Sequence, residues 1–313
     1  MTTWGIVATI RADHTTILKF AAHHLELGAH RLYLYLDEPN PTAEAALKAH
    51  PKVRLRVCDA GYWKRQNGSR PAKHQVRQTL NATHAYARRA EVDWLAHIDV
   101  DEFLWPETGV AEALTALPAQ AFTARVRPAE ALAPDTPDPY APATAFKAMH
   151  IDRTARNRST ARLYPDYAAH IDDGFLSHVA GKIFLRTGMG EIEFRIHNAR
   201  KGEVQNPGAV DLTSVSLLHC HASDWKDFRS RFDYRHSHGA YRAELGRKGP
   251  SGLTLHEVFA ALLDSEGEDG LRRFHDSLCT AIPSHCAALQ AEGLLRIHDL
   301  QLEQKRARHF PQH

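Results

Sequence analysis

The sequence predicts an α/β protein built on a Rossmann-related, mostly parallel sheet flanked by helices, with a helical C-terminal appendage. Three observations carry this. Short strand-like runs at 4–10, compact and apolar with β-branched residues, and at 31–36 and 53–57 alternate with stretches of helical spacing. The connections between them have the length of a crossover, which parallel strands require and hairpins do not. A later apolar run, Trp94-Leu95-Ala96-His97-Ile98, ends in Asp99, Asp101 and Glu102 before a second apolar patch closed by Pro106, as a buried strand ending in an acidic loop would.

Each element has its own local reason. The first strand runs into Asp13, a helix N-cap residue, and Ile17, Leu18, Ala21, Ala22, Leu25 and Leu27 then recur at helical spacing until Gly28 stops the helix. The second strand ends at Asp37. Ligands of open α/β sheets gather beyond the carboxyl ends of the strands, so Thr9, Ile10, Arg11 and Asp37 share one edge. A helix over 42–49 and the strand 53–57 complete a second unit. Gly61, Gly68 and Pro71 mark 59–72 as a loop at that edge, where Lys64, Arg65, Arg70 and Lys73 either meet phosphates or serve as ordinary loop polarity. Residues 73–89 form a helix with Val76, Leu80, Thr83 and Ala87 as its apolar face.

Side-chain alternation in the next strand puts Asp99 and Asp101 on one side, with Val100 and Glu102 on the other. Two carboxylates in one small volume repel unless a proton or cation intervenes, and hard oxygen donors suit Mg²⁺ or Mn²⁺ carrying a phosphate. A solvated loop or a helix cap is the plainer reading.

Beyond it come a helix over 109–117, a strand over 121–126, and an excursion marked by Pro128, Pro134, Pro137, Pro139 and Pro142. Arg153, Arg156, Arg158 and Arg162 make a basic cluster. Two strands, 181–188 and 192–197, follow, with Lys182 and Arg186 on one face. An apolar strand over 215–218 delivers His219 and His221 to one side, with Cys220 facing away. Asp224 caps a helix running to His238. The remainder is helical, broken at Gly267, Gly270 and Pro283, with a basic tail from Lys305.

Composition narrows the class. The 313 residues are 43% hydrophobic and 24% charged, an ordinary globular balance. Lys and Arg exceed Asp and Glu by 39 − 37 = +2, too little for the field that drives non-specific nucleic-acid binding, so no nucleic-acid partner is expected. Cys58, Cys220, Cys279 and Cys286 show no C-x-x-C pairing and are too sparse for a disulfide framework. Residues 1–12 lack the features of a signal peptide, and no run approaches eighteen apolar residues. The expectation is a cytoplasmic protein, with a peripheral membrane contact compatible.

The Asp-Val-Asp-Glu-Phe run after an apolar strand, together with the region of His24, Gly28 and Asp37, resembles the family 2-like glycosyltransferases of bacterial polysaccharide synthesis, which have a GT-A fold. The resemblance departs at Arg11-Ala12-Asp13, where that family usually has Lys-Asn-Glu. It implies a GT-A domain over 1–245, with a donor half at about 1–127 and an acceptor half at about 128–245, then an appendage over 246–313. It also implies that Asp99 and Asp101 hold Mn²⁺ or Mg²⁺ against the diphosphate of a UDP- or GDP-sugar, with His219 as third ligand. Thr9, Arg11, Asp37, Lys73, Asp99 and Lys182 would line the donor site, with Gln75 or Asn81 approaching it. Lys182, Arg186 and His197 match an acceptor-half motif, and Gly239 and Tyr241 close the Arg-rich helix that carries Trp225. The acceptor would be a carbohydrate or glycolipid hydroxyl, and Asp172, Asp173 and Asp224 are candidates for the base an inverting transfer needs. Two other classes fit an acidic strand end: a metal-dependent nucleotidyltransferase or phosphohydrolase, and a non-catalytic nucleotide-sugar-binding module. Neither G-x-x-x-x-G-K-[ST] nor G-x-G-x-x-G follows the first strand.

Overall fold

Strand β1 (Trp4–Ile10) runs into Asp13, whose carboxylate accepts from the Thr16 N–H and starts α1 (His14–Glu26). Next come β2 (Arg31–Leu36), α2 (Pro41–Ala49), β3 (Val53–Val57), α3 (Ala60–Asn67), α4 (His74–Ala87), β4 (Trp94–His97), β5 (Glu102–Pro106), α5 (Val110–Thr115) and β6 (Thr123–Ala131). Then follow β7 (Thr144–Lys147), α6 (Arg153–Leu163), β8 (Lys182–Arg186), β9 (Glu193–Phe194), β10 (Ala199–Lys201), β11 (Val204–Gln205) and β12 (Ala209–His219). The chain closes with α7 (Trp225–Ser237), α8 (Leu255–Cys279, broken at Gly267), α9 (Pro283–Ala291), β13 (Leu295–His298) and α10 (Leu302–His309). This computed structural model describes residues 1–88, 91–136, 143–171, 174–221, 224–237, 241, 243 and 251–313.

The chain forms two compact units. The first comprises Met1–Arg127, Ala180–Leu217 and Gln301–His313. Its sheet has a parallel heart in the order β4-β1-β2-β3, in register through Val7↔His97, Ile10↔Leu36 and Leu34↔Leu55, with β8 added antiparallel to β4. Successive residues of β1, β2 and β4 are buried whichever way they point, as expected of parallel strands covered on both faces. Val7, Tyr33, Tyr35 and Leu95 pack against Ala82, Ala85 and Tyr86 of α4. The mixed α/β architecture with a mostly parallel sheet and flanking helices is the one the sequence predicts.

Gly181 sets the entry to β8. Its φ is +67°, and a Cβ there would meet the Val126 carbonyl oxygen at 2.1 Å, so only glycine lets the chain turn against β6 and present Lys182. The basic tail expected from Lys305 forms α10, which lies on α1 through Arg308 and His309 to Glu26 and Lys305 to His23.

The second unit comprises Pro128–Val179 and Leu218–Leu300. Its core is aromatic, with Phe228, Phe232, Phe259, Phe274 and Tyr241 clustered among α7 and α8. Antiparallel β13 and β7 were not expected from the sequence. Inside it, Lys147 and Glu130 form a fully buried ion pair at 3.0 Å, and the ammonium also donates to the carbonyls of Gly174 and Leu278. The expected boundary at 245/246 falls among residues 244–250, outside the described residues, as do 137–142 of the proline excursion.

Three expectations give way to different local structure. The presumed loop 59–72 contains α3, because Asp59 caps it through the Tyr62 N–H and Gly68 ends it, while Trp63 is buried. Strand 121–126 continues through Pro128 to Ala131, whereas 192–197 yields only the two residues of β9. The buried face of α4 is not Val76, Leu80, Thr83 and Ala87: Val76 is 44% exposed, and Arg77, Gln78, Asn81, Ala82, Ala85 and Tyr86 face inward.

Candidate active site

Three parallel strands end side by side, Thr9 near the end of β1, Asp37 just past β2 and Asp99 just past β4. Their register fixes a common edge. Helix α4 crosses that edge with three polar side chains on its buried face, and each holds a different strand end. Arg77 donates from Nε to both oxygens of Asp37 at 3.0 Å, Gln78 donates to Asp99 Oδ1 at 2.5 Å, and Asn81 donates to the Thr9 hydroxyl at 3.0 Å. The Tyr62 hydroxyl in turn donates to Asn81 Oδ1 at 2.6 Å, which fixes that amide's orientation.

Asp37 is enclosed. Its side chain has no accessible surface, and besides Arg77 it accepts from Arg70 at 3.0 Å. Burial would raise this carboxyl, but hydrogen bonds from His74 and Arg77 and the charges of Arg77 and Arg70 outweigh it and hold the group well below the carboxylate range. A ligand at this edge therefore meets the half-exposed Arg70 before it meets Asp37. Arg77 Nη1 donates to the Pro71 and Ala72 carbonyls at 2.8 Å each, fixing the approach to α4.

At the end of β4 the chain turns instead of staying extended. The Glu102 N–H donates to the Asp99 carbonyl at 3.2 Å and the Asp99 N–H to Glu102 Oε2 at 2.8 Å, so Val100 and Asp101 occupy a tight turn. Alternation fails there, and Glu102 comes to the same side as Asp99. The buried Lys182 ammonium lies 2.6 Å from Asp99 Oδ2 and 3.4 Å from Glu102 Oε2. Burial would lower the Lys182 pKa, but Asp99 and Glu102, with a smaller contribution from Asp101, raise it. Nearby His97 is pushed down to about 4, by burial first and then by the Lys182 charge, and is neutral at physiological pH.

The remaining expected residues are placed differently. Arg11 is exposed and pairs with Glu38 at 3.1 Å rather than with Asp37. Lys73 is exposed at the start of α4. Asp101 is half-buried in the turn, and Gln75 is exposed on the outer side of α4. In the second unit His219 is buried with its ring 5.2 Å from that of His178 and 5.3 Å from that of His221, and His221 Nε2 lies 3.0 Å from the Tyr241 hydroxyl. Asp224 is exposed and accepts from the Asp227 N–H at 2.7 Å, a helix-capping contact. Asp172 and Asp173 lie outside the described residues, as do His238 and Gly239. Arg77, Gln78 and Glu102 are the site residues that apolar periodicity and alternation miss. The signal for the first two is the polar set Arg77, Gln78 and Asn81 at helical spacing opposite three strand ends.

The chain belongs to glycosyltransferase family 92, whose family model matches residues 7–244. The match shows the glycosyltransferase class that the sequence resemblance implied. No curated protein matches the chain. Among solved structures it is similar to the galactosyltransferase LgtC, crystallised with donor and acceptor sugar analogs, at 13% identity and a TM-score of 0.26, covering 58% of this chain and 57% of that one. It is also similar to HddC from Yersinia pseudotuberculosis, at 11% identity and a TM-score of 0.34, over 75% of this chain and 99% of that one. The glycosyltransferase GlyE of Streptococcus pneumoniae TIGR4 matches at 16% identity and a TM-score of 0.26, over 40% and 30%. The chain thus spans little more than half the length of LgtC, and likeness at these scores carries no argument about activity. Among the described residues, no helix is long and apolar enough to cross a membrane.

Proposed function

We propose that this chain is a metal-dependent, GT-A-type glycosyltransferase that moves a sugar from a UDP- or GDP-linked donor to a carbohydrate or glycolipid hydroxyl, in surface polysaccharide or glycoconjugate synthesis. One observation carries the reading: Asp99, Asp101 and Glu102 gather at the end of β4 around a single buried ammonium, Lys182. The carboxylate donors are hard oxygens of the kind Mg²⁺ and Mn²⁺ take. The residues fit the ion. Asp99 and Asp101 would hold it. When bound, the cation would offset the charge that builds on a departing nucleotide diphosphate.

The chain's own groups do the positioning. Lys182 and Gln78 take one oxygen each of Asp99 and hold the carboxylate in one orientation. Glu102 locks the turn through the Asp99 N–H. Arg70, anchored on Asp37, offers a guanidinium at the donor edge, with Arg11 and Lys73 as exposed cations along the same edge. Asp172, Asp173 and Asp224 stay the proposed bases for the acceptor hydroxyl, and Asp224 must leave its capping contact to act.

The test is product analysis with Mn²⁺, a panel of nucleotide sugars and simple saccharide acceptors. Release of nucleoside diphosphate coupled to a new glycoside supports transfer. Release of pyrophosphate or inorganic phosphate would point to the nucleotidyltransferase or phosphohydrolase class, and saturable donor binding with no turnover would point to a binding module.

A further inference from the structure

A cavity of about 410 Å³ opens in the first unit away from the strand-end site, between the last turn of α4 and strands β2 and β3. Ligand pockets start at roughly 300 Å³, so it is large enough for a small molecule. Cross-strand register sets Tyr33 beside Arg54 and Tyr35 beside Arg56. Arg88 enters from the end of α4 and Lys48 from α2, giving four cations against one acid, Glu91.

The acid is already committed. Glu91 takes Arg54 at 2.9 and 3.0 Å and Arg31 at 2.7 Å, and these hydrogen bonds, Arg54's first, bring its carboxyl to about 2. Lys48 is paired with Glu44. Arg56 and Arg88 are different: both are exposed, and among the described residues no carboxylate pairs with either. Both line the cavity, and both charges act on the imidazole of His84, whose Nδ1 lies 2.7 Å from the Tyr35 hydroxyl. Burial depresses that imidazole first, and Arg88 and Arg56 depress it further. The carboxyl end of α4 contributes about half a negative charge at this point, which two guanidinium charges outweigh.

We propose that this cavity is a second ligand site, which takes a phosphate ester with its oxyanion between Arg56 and Arg88 and its ester group in the remaining volume. Planar guanidinium groups bind such oxyanions by paired, charge-assisted hydrogen bonds. The site is independent of the donor-site reading, since none of its residues holds a strand end.

Calorimetric titration of the full chain with inorganic phosphate and with a hexose phosphate, at ionic strength matched with sodium chloride, tests it. The wild type and D99N should bind both probes saturably, the hexose phosphate at least as tightly. R56Q/R88Q should bind each at least about tenfold more weakly, the scale of losing hydrogen bonds to a charged group, while R56K/R88K retains part of the affinity. Equal binding by R56Q/R88Q, no saturable phosphate binding by the wild type, or exclusion of the hexose phosphate would overturn the proposal. Loss of binding in D99N alone would assign the phosphate to the donor site and overturn it too.

Discussion

Lys182 is the residue on which the acidic site depends. A buried ammonium between two carboxylates is stable because each charge offsets the desolvation of the others, so removing it takes from the buried Glu102 the cation 3.4 Å away. Lys182→Met should destabilise the protein by about 3–5 kcal/mol, and adding Glu102→Gln should recover part of the loss; urea unfolding of both variants checks this. The Lys182 pKa is raised by folding, so its stabilisation is complete below the ordinary lysine value and is lost as pH rises beyond the folded one. Asp37 has the opposite sign. Its pKa is depressed by folding, so its contribution is present above the ordinary aspartate value of about 3.9 and fades as pH falls toward the lower folded value. Melting temperature followed from pH 6 downward should fall in the wild type, and Asp37→Asn, already less stable because Arg77 loses its partner, should show a flatter acid limb. Parallel acid limbs in the two proteins would contradict this account of Asp37.

At the level of elements, α4 and β8 carry the site, and both are sensitive to backbone placement. Gly181→Ala forces a Cβ against the Val126 carbonyl at a positive φ, so it should cost more than the roughly 1–2 kcal/mol of a left-handed residue alone. It should also weaken donor binding by moving Lys182, and comparing its melting with its donor affinity separates the two effects. The elements also show what was legible in the sequence. Strands 4–10, 31–36 and 53–57 are read with their observed bounds because the first two are almost wholly apolar, the third alternates Val and Leu with Arg, and polar or turn residues flank them. The inward face of α4 was not legible, since half of the residues it buries, Arg77, Gln78 and Asn81, are polar, and the apolar periodicity of Val76, Leu80, Thr83 and Ala87 selects the opposite side. Glu102 was assigned to the wrong side because strand alternation was carried through a turn. Helix α3 was hidden by Gly61 and Gly68, although Asp59 at its cap is a signal that could have found it.

For the molecule as a whole, the first unit carries three acids and a buried lysine at a strand edge, and the second contains a buried Glu130–Lys147 pair within an aromatic core. The glycosyltransferase class was legible from the acidic strand end only together with the region of His24, Gly28 and Asp37, because an acidic strand end fits other metal-dependent classes as well; family 92 itself emerges from the match along residues 7–244. The central claim is that the acids past β4 hold a divalent cation that in turn holds a nucleotide diphosphate. It is tested most directly by titrating nucleoside diphosphates into the wild type and Asp101→Asn with and without Mn²⁺, alongside melting of the unliganded proteins. The account predicts Mn²⁺-dependent binding of one nucleoside diphosphate by the wild type, loss of that dependence in Asp101→Asn, and unliganded melting temperatures that agree closely. Unchanged Mn²⁺-dependent affinity in Asp101→Asn would contradict it.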